Sequence, residues 1–385
     1  MPMSMKSIQL YNKDVLPDLQ WPQTPDAEYA RSYLTPMIQD GVSPYIVNCD
    51  TEMMVLAVDD LVLPVTINHA EYENSYVCSP YTHYIRYAAE ELRNLENPIM
   101  RHNLYATLAG MGAVMRAGRL NKVVHVNNWL LSTNLYPPMT LEQIQTITHF
   151  LCERFPDHAI VFRSINSHVS HNHVPHFENT GYRMIASRQV YVLDTTDPAK
   201  FQSRQFRQDY KLWKKSDYKV VDGDQLSESD AKRIVELYTL LYLDKYSMLN
   251  PQFTSKFIVL AMKNKLLNIK VLVNTAGRID AVLGTFIRNG VMTTPLYGYD
   301  TRLPVKLGLY RMLSTILTTE ARSRQVLLNR SSGAAQFKRL RSADPAIEYS
   351  AVFDEHLPRL RRIPWIGLEQ LINRVGKTLL EKYEL

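Results

Sequence analysis

Residues 269–299 read IKVLVNTAGRIDAVLGTFIRNGVMTTPLYGY. Three runs within this stretch, 269–273, 279–287 and 291–299, are rich in Val, Ile, Leu and aromatic residues, the composition of a pleated and half-buried surface. Ala276-Gly277 separates the first run from the second, and Asn289-Gly290 separates the second from the third. Asn-Gly supplies the left-handed backbone pair that a two-residue hairpin turn requires. The stretch therefore predicts an antiparallel meander. Upstream, Ser227 and Asp230 mark a capped helix start, and Ile234, Leu237, Tyr238 and Leu241 recur at helical spacing, which predicts a helix over 227–245. Downstream of Pro304 the pattern predicts a helix over 307–321, a buried strand over 325–329, a helix over 334–341 and a strand over 347–353. The second half thus runs α, three β, α, β, α, β.

The first half follows a similar order. Runs 53–58 and 61–68 flank Asp59-Asp60 as a hairpin, 76–78 reads as a short strand, and Ser79 caps a helix over 80–95. A helix over 97–118, strands over 123–129, 159–165 and 184–193, and a capped helix over 140–155 complete a mixed α/β unit. No residue-level repeat links the halves, so they are alike in order only. Between them, 200–219 carries seven Lys or Arg against two acids and reads as a solvated helical connector, which places a boundary near 195 and two domains at 1–195 and 196–385. A length of 385 residues, beyond what one core usually holds, agrees with that division.

With 45% hydrophobic and 21% charged residues and no low-complexity tract, the composition excludes a collagenous or largely disordered chain. A net charge of +6 suits an anionic ligand. Cys49, Cys78 and Cys152 are odd in number and widely spaced, which fits a reducing compartment and predicts a cytoplasmic protein. Residues 1–14, MPMSMKSIQLYNKD, hold no continuous apolar run, and 104–115 is broken by Gly110 and Gly112, so neither export nor membrane insertion is expected.

The element order of the second half, with Ser331-Ser332-Gly333, Phe337-Lys338 and Glu348-Tyr349, resembles the GNAT superfamily of N-acyltransferases, in particular its tandem-domain branch of Fem-type and similar transferases. The resemblance is tightest over 296–353. It implies a mixed-sheet α/β fold of two tandem GNAT-like domains, each a mostly antiparallel sheet with a splayed parallel pair and flanking helices. In that fold the pantetheine arm of an acyl donor lies in the gap where the last meander strand, here 291–299, parts from the parallel strand, here 325–329. Backbone groups left unpaired at the splay bind donor amides, and the next helix presents its N-terminal amides to phosphate. The activity implied is transfer of an acyl group from acyl-CoA or an acyl carrier protein to an amine of an amino acid, peptide or biosynthetic intermediate. The donor acts as cosubstrate, with no tightly bound cofactor. The alternatives are an aminoacyl-tRNA-dependent Fem-like transferase, with tRNA as donor, and a catalytically silent GNAT-like binding module. Residues 305–310, VKLGLY, keep only the central glycine of the usual coenzyme A loop. That departure leaves Lys306 to supply charge, or points to a carrier protein or tRNA.

The resemblance carries over Lys338 as the residue facing donor phosphate or the reacting carbonyl. Around it the catalytic set is completed by Tyr299 as proton donor to the leaving group and by Asp300 and Glu348 as candidate general bases. The donor-binding set is Arg302, Lys306, Gly308, Leu309, Tyr310, Ser332 and Gly333; the acceptor-lining set is Tyr242, Asp244, Tyr246, Tyr297 and Phe337. From Arg302 to Arg341 nine Lys or Arg face one acid, Glu320, an excess expected to funnel a polyanionic donor. His168, His171, His173 and His176 crowd together without an acid or cysteine, and are expected to form a polar loop that holds no metal.

Overall fold

The apolar runs form the strands β1 (Ile8–Tyr11), β2 (Glu52–Val58), β3 (Leu61–Asn68), β4 (Val123–Val126), β5 (Ala159–Ile165), β6 (Arg183–Asp194), β7 (Lys219–Asp222), β8 (Asn268–Val273), β9 (Ile279–Arg288), β10 (Val291–Tyr299), β11 (Leu327–Asn329) and β12 (Asp344–Phe353). The computed structural model describes residues 8–94, 97–169 and 173–376. All these strands join one sheet, in the order β1-β2-β3-β4-β5-β12-β6-β11-β10-β9-β8-β7. The meander read from 269–299 is β8, β9 and β10, with Asn289 and Gly290 at φ 48° and 72° in the turn between β9 and β10.

Read from either edge inward, the sheet has the same plan. Antiparallel strands lead to one parallel pair, β4 with β5 in the first half and β10 with β11 in the second. The mixed sheet expected from the sequence, mostly antiparallel with a parallel pair in each half, is therefore present. The next strand inward, however, comes from the opposite half: β12 lies against β5, and β6 lies against β11. At the centre β6 and β12 pair with each other, from Asp344 opposite Val192 to Val352 opposite Arg183. Each half completes the other's sheet.

The core is shared in the same way. Tyr33, Leu34 and Met37 of the helix Pro25–Asp40 pack in one cluster with Trp129 and with Leu237, Phe257 and Ile258 of the second half. Tyr33 donates to the carbonyl of Trp129 at 2.6 Å, which satisfies a hydroxyl that burial would otherwise penalise.

Three expectations change. Residues 76–78 are a turn held by loop carbonyls, with Ser75 N donating to Asn48 O and Tyr76 N to Leu249 O, so their apolar character serves the shared core. The strand over 123–129 stops at Val126, because Asn127 takes φ 55° and Asn127 and Asn128 turn buried amides onto Leu135 O, Thr66 Oγ1 and Val77 O. The basic connector contains the helix Arg204–Lys215, and its Asp209, 1% exposed, is tied to Arg311 and Arg341 of the second half. It is packed structure, because a carboxylate near its middle pairs with arginines distant in sequence.

Candidate functional site

Strands β10 and β11 pair only at Val291 opposite Leu327 and Met292 opposite Leu328. Pro295, which has no N–H to give, sits where the β10 register against β9 shifts between Thr293 and Leu296. Beyond this point β10 runs on to Tyr299 while the chain after β11 turns away through 330–334. The space opened between them belongs to a cavity of about 940 Å³. Its walls are Thr294 and Tyr297 of β10, the turn after β11, Ala186 to Arg188 of β6, Tyr242 and Tyr246, Tyr310 and Ser314 of the helix Leu309–Ser323, and first-half helical residues between Tyr84 and Met111.

The turn after β11 is strained and pinned. Ser331, Gly333 and Ala334 have φ 57°, 76° and 48°, a backbone that only glycine adopts cheaply. Its Ser331 N–H donates to Asn329 Oδ1 at 2.9 Å. Lys338, 5% exposed, reaches back from the helix Ala335–Arg339 and donates to the carbonyls of Ser331 at 3.0 Å and Ser332 at 2.7 Å. Burial, then the nearby Arg330 and Arg188, lowers the Lys338 pKa well below the usual lysine range. Arg330 is buried too, donates to Ser314 Oγ, and leaves Nη1 without a partner. Among the described residues neither cation has a carboxylate at ion-pair distance. Arg188 does: its Nε meets Glu348 Oε1 at 2.8 Å across the β6 and β12 pair.

Of the residues singled out from sequence, Lys338, Ser332, Gly333, Tyr310, Tyr297, Tyr242 and Tyr246 line this one cavity. The Tyr297 hydroxyl donates to the Tyr310 carbonyl at 2.9 Å, and Tyr242 stacks on Tyr238 with ring centres 5.1 Å apart. Burial raises the Tyr310 pKa, so its hydroxyl keeps its proton at neutral pH. Phe337 and Tyr299 stand one layer behind, each against the Tyr310 ring.

The others sit elsewhere. Asp300 accepts from Arg302 Nε at 2.8 Å and Arg233 Nη2 at 2.9 Å, and hydrogen bonding from Arg302 holds its carboxyl well below the usual range. It is an ion-pair anchor in the place where a general base was expected. Glu348 is buried against Arg188 and meets the cavity only through that partner. Lys306 and Asp244 are exposed and lie off the cavity wall, as do Arg302 and Leu309. Gly308 holds φ 71° at the start of the helix Leu309–Ser323, a left-handed backbone that accounts for this glycine, and a Cβ there would stand 2.5 Å from the tip of Leu212. Part of the basic excess over 302–341 is met by acids outside it: Arg302 pairs with Asp300 and Glu236, and Arg311 and Arg341 pair with Asp209. His173 accepts the Met139 N–H at 3.1 Å, and burial lowers its pKa to about 4. His171 lies outside the described residues, among which no three His, Cys, Asp or Glu side chains gather into a metal site.

Sequence reasoning missed the first-half wall. Glu91 lines the cavity, and burial, then the charge of Glu90, raises its pKa to about 7. His83 lines it as well, hydrogen-bonded at 2.8 Å to Ser187 Oγ, and burial, then Arg163 and Arg188, lowers its pKa to about 3, so it is neutral. Nothing in the local pattern of 80–95 marks either residue.

No family model and no curated protein matches the chain. Solved structures do, at low identity. L-PGS from Bacillus licheniformis is 14% identical with a TM-score of 0.44, over 59% of this chain and 77% of that one. FemX is 8% identical with a TM-score of 0.42, over 61% and 80%. A tandem GNAT protein from the clavulanic acid biosynthesis pathway is 8% identical with a TM-score of 0.39, over 91% and 99%. These likenesses give no residue of this chain a role.

Proposed function

We propose that the chain is an N-acyltransferase that moves an acyl group from a CoA or carrier-protein thioester to an amine, with the second half holding the donor. The observation that carries the reading is the pair of buried basic side chains, Lys338 and Arg330, with no carboxylate at ion-pair distance among the described residues, in the cavity that opens where β10 leaves β11. Buried charge without a counter-charge is costly. The oxyanion that forms on the thioester carbonyl is the missing partner, and an interaction gained only in the transition state accelerates the chemical step. Lys338 in its ammonium form has one N–H beyond the two given to the turn carbonyls.

In this reading the acceptor nitrogen attacks the thioester carbon, and the C–N bond forms as the C–S bond breaks. The surplus proton on nitrogen passes to Glu91, whose pKa of about 7 suits a base at neutral pH. The departing thiolate takes a proton from the Tyr310 hydroxyl, and solvent returns the proton from Glu91 to Tyr310. A cytoplasmic setting, where such thioesters are made, belongs to the same proposal.

The test is thiol release from acyl-CoA in the presence of a panel of amino acids, peptides and polyamines, with amide products identified by mass spectrometry. Amine-dependent release with a matching amide mass is the expected result. Absence of release from acyl-CoA and acyl carrier protein alike refutes the reading, and release from aminoacyl-tRNA alone would reassign the donor.

A further inference from the structure

The helix Pro98–Ala117 turns one face to the cavity, through Met100, Leu104, Leu108 and Met111. Steps of four, four and three residues keep these side chains on a single stripe. In a twenty-residue helix rich in Leu, Met and Ala, only Gly112 and Met115 are buried. Leu108 and Met111 also touch the core cluster around Tyr81, Ile85 and Trp365, yet none of the four stripe residues is fully buried. The stripe's role is to wall a cavity whose cations, Lys338, Arg330 and Arg188, stand on other elements, the turn and helix after β11 and strand β6. The stripe is hydrocarbon and the turn and strand are basic, with Glu90 and Glu91 also on the lining, so the ligand that fits stripe and turn together is an amphiphile with an anionic or polarised oxygen head.

Resting on the transferase reading, we infer that the cavity takes a long aliphatic acyl chain along the 98–117 stripe, with its carbonyl at Lys338 and Arg330. An acetyl group would leave the stripe facing water. Each methylene laid against it removes apolar surface from solvent, and about 0.8 kcal/mol per CH2 corresponds to about a fourfold gain in specificity. A volume of about 940 Å³ is at the upper end of small-molecule sites, ample for such a chain beside an acceptor. Met100 and Met111, unbranched and polarisable, let one wall follow chains of differing length.

The experiment measures kcat/KM for acetyl-, butanoyl-, octanoyl-, dodecanoyl- and hexadecanoyl-CoA, repeated with the same chains on an acyl carrier protein to separate the two donor sources. In parallel, calorimetry follows binding of the matching free fatty acids. The expected result is a rise of about fourfold per CH2 to a plateau. Leu108→Trp, which fills the stripe, should lower the hexadecanoyl to butanoyl ratio at least tenfold; if that variant fails to fold, the chain series on the wild type decides alone. Equal turnover of acetyl and hexadecanoyl donors overturns the chain assignment and leaves the transferase reading standing. Chain-graded fatty-acid binding without transfer from any donor does the reverse, and neither binding nor transfer overturns both.

Discussion

Lys338 spends two of its N–H donors on the carbonyls of the turn after β11. The Phe337-Lys338 pair pointed to it, yet the sequence could not reveal that its ammonium also ties down the Ser331 and Ser332 carbonyls. Lys338→Met therefore removes two structural bonds along with the charge. Transfer should fall on the order of a hundredfold. Stability should fall as well, by roughly 1 kcal/mol, because two half-buried acceptors lose their donor. The sign of the pH dependence separates the two effects. The folded protein lowers the Lys338 pKa, so between that value and 10.5 the unfolded chain binds more protons, and the lysine's contribution to stability grows as pH rises. Denaturant melts should show the gap between wild type and Lys338→Met widening from neutral pH to about pH 10; an unchanged gap would mean the lysine is not penalised by burial. Glu91 has the opposite sense. Its pKa is raised from 4.5 to about 7, so it costs stability as pH rises through that window, while its base form becomes available for transfer. The pH profile of kcat/KM should rise with an apparent pKa near 7, and Glu91→Gln should depress and flatten it. A full rise in Glu91→Gln would assign the limb to another group.

At the scale of elements, legibility followed local chemistry. The β8 to β10 meander was readable because Asn289-Gly290 fixes a hairpin whatever the rest of the chain does. The helix Leu141–Arg154 was readable because Thr140 and Gln143 form a reciprocal capping box. The helices Pro25–Asp40 and Arg359–Leu371 were missed; each holds an interior proline, Pro36 or Pro364, which in sequence reads as a stop. Strands β1 and β7 are four residues each and gain definition only from the neighbour they pair with. The loop glycine has a backbone reason that the sequence did not show. Gly308 looked like a remnant of a phosphate loop, and the structure gives it a left-handed backbone at a helix start against Leu212. Gly308→Ala should lower stability by about 1–2 kcal/mol, the cost of a side chain in that conformation, since the Leu212 tip can rotate away. Donor affinity should change less than twofold. A Kd raised tenfold with an unshifted melting curve would return Gly308 to the donor site.

For the whole molecule, counting within sequence windows failed for one reason at every scale: partners lie across the sheet. Within the Arg302 to Arg341 excess, Arg302, Arg311 and Arg341 pair with Asp209, Glu236 and Asp300 from outside the window, and the cavity takes walls from both halves. The exchange of β6 and β12 has the same consequence for stability. Without residues 1–195, β11 would keep its parallel contact to β10 but lose its antiparallel partner β6, and β12 would lose partners on both sides. Unpaired backbone at a sheet interior is expensive, and exposed edges invite aggregation. The halves should therefore unfold in one transition, with tryptophan fluorescence and far-UV circular dichroism coinciding across a denaturant series. Trp129, fully buried in one cluster that joins the halves, and Trp365, buried in a second cluster that also holds residues of both, make the fluorescence report on both packing regions. Expressed separately, 1–195 and 196–385 should each aggregate or stay unfolded, and refolded together they should recover the native spectrum and the cavity's ligand binding. A second half that folds alone with a sharp cooperative melt would show that the exchanged strands are an accessory to each domain. In that case β12 would have to find an edge within its own half, and β11 is the strand whose free side could offer it.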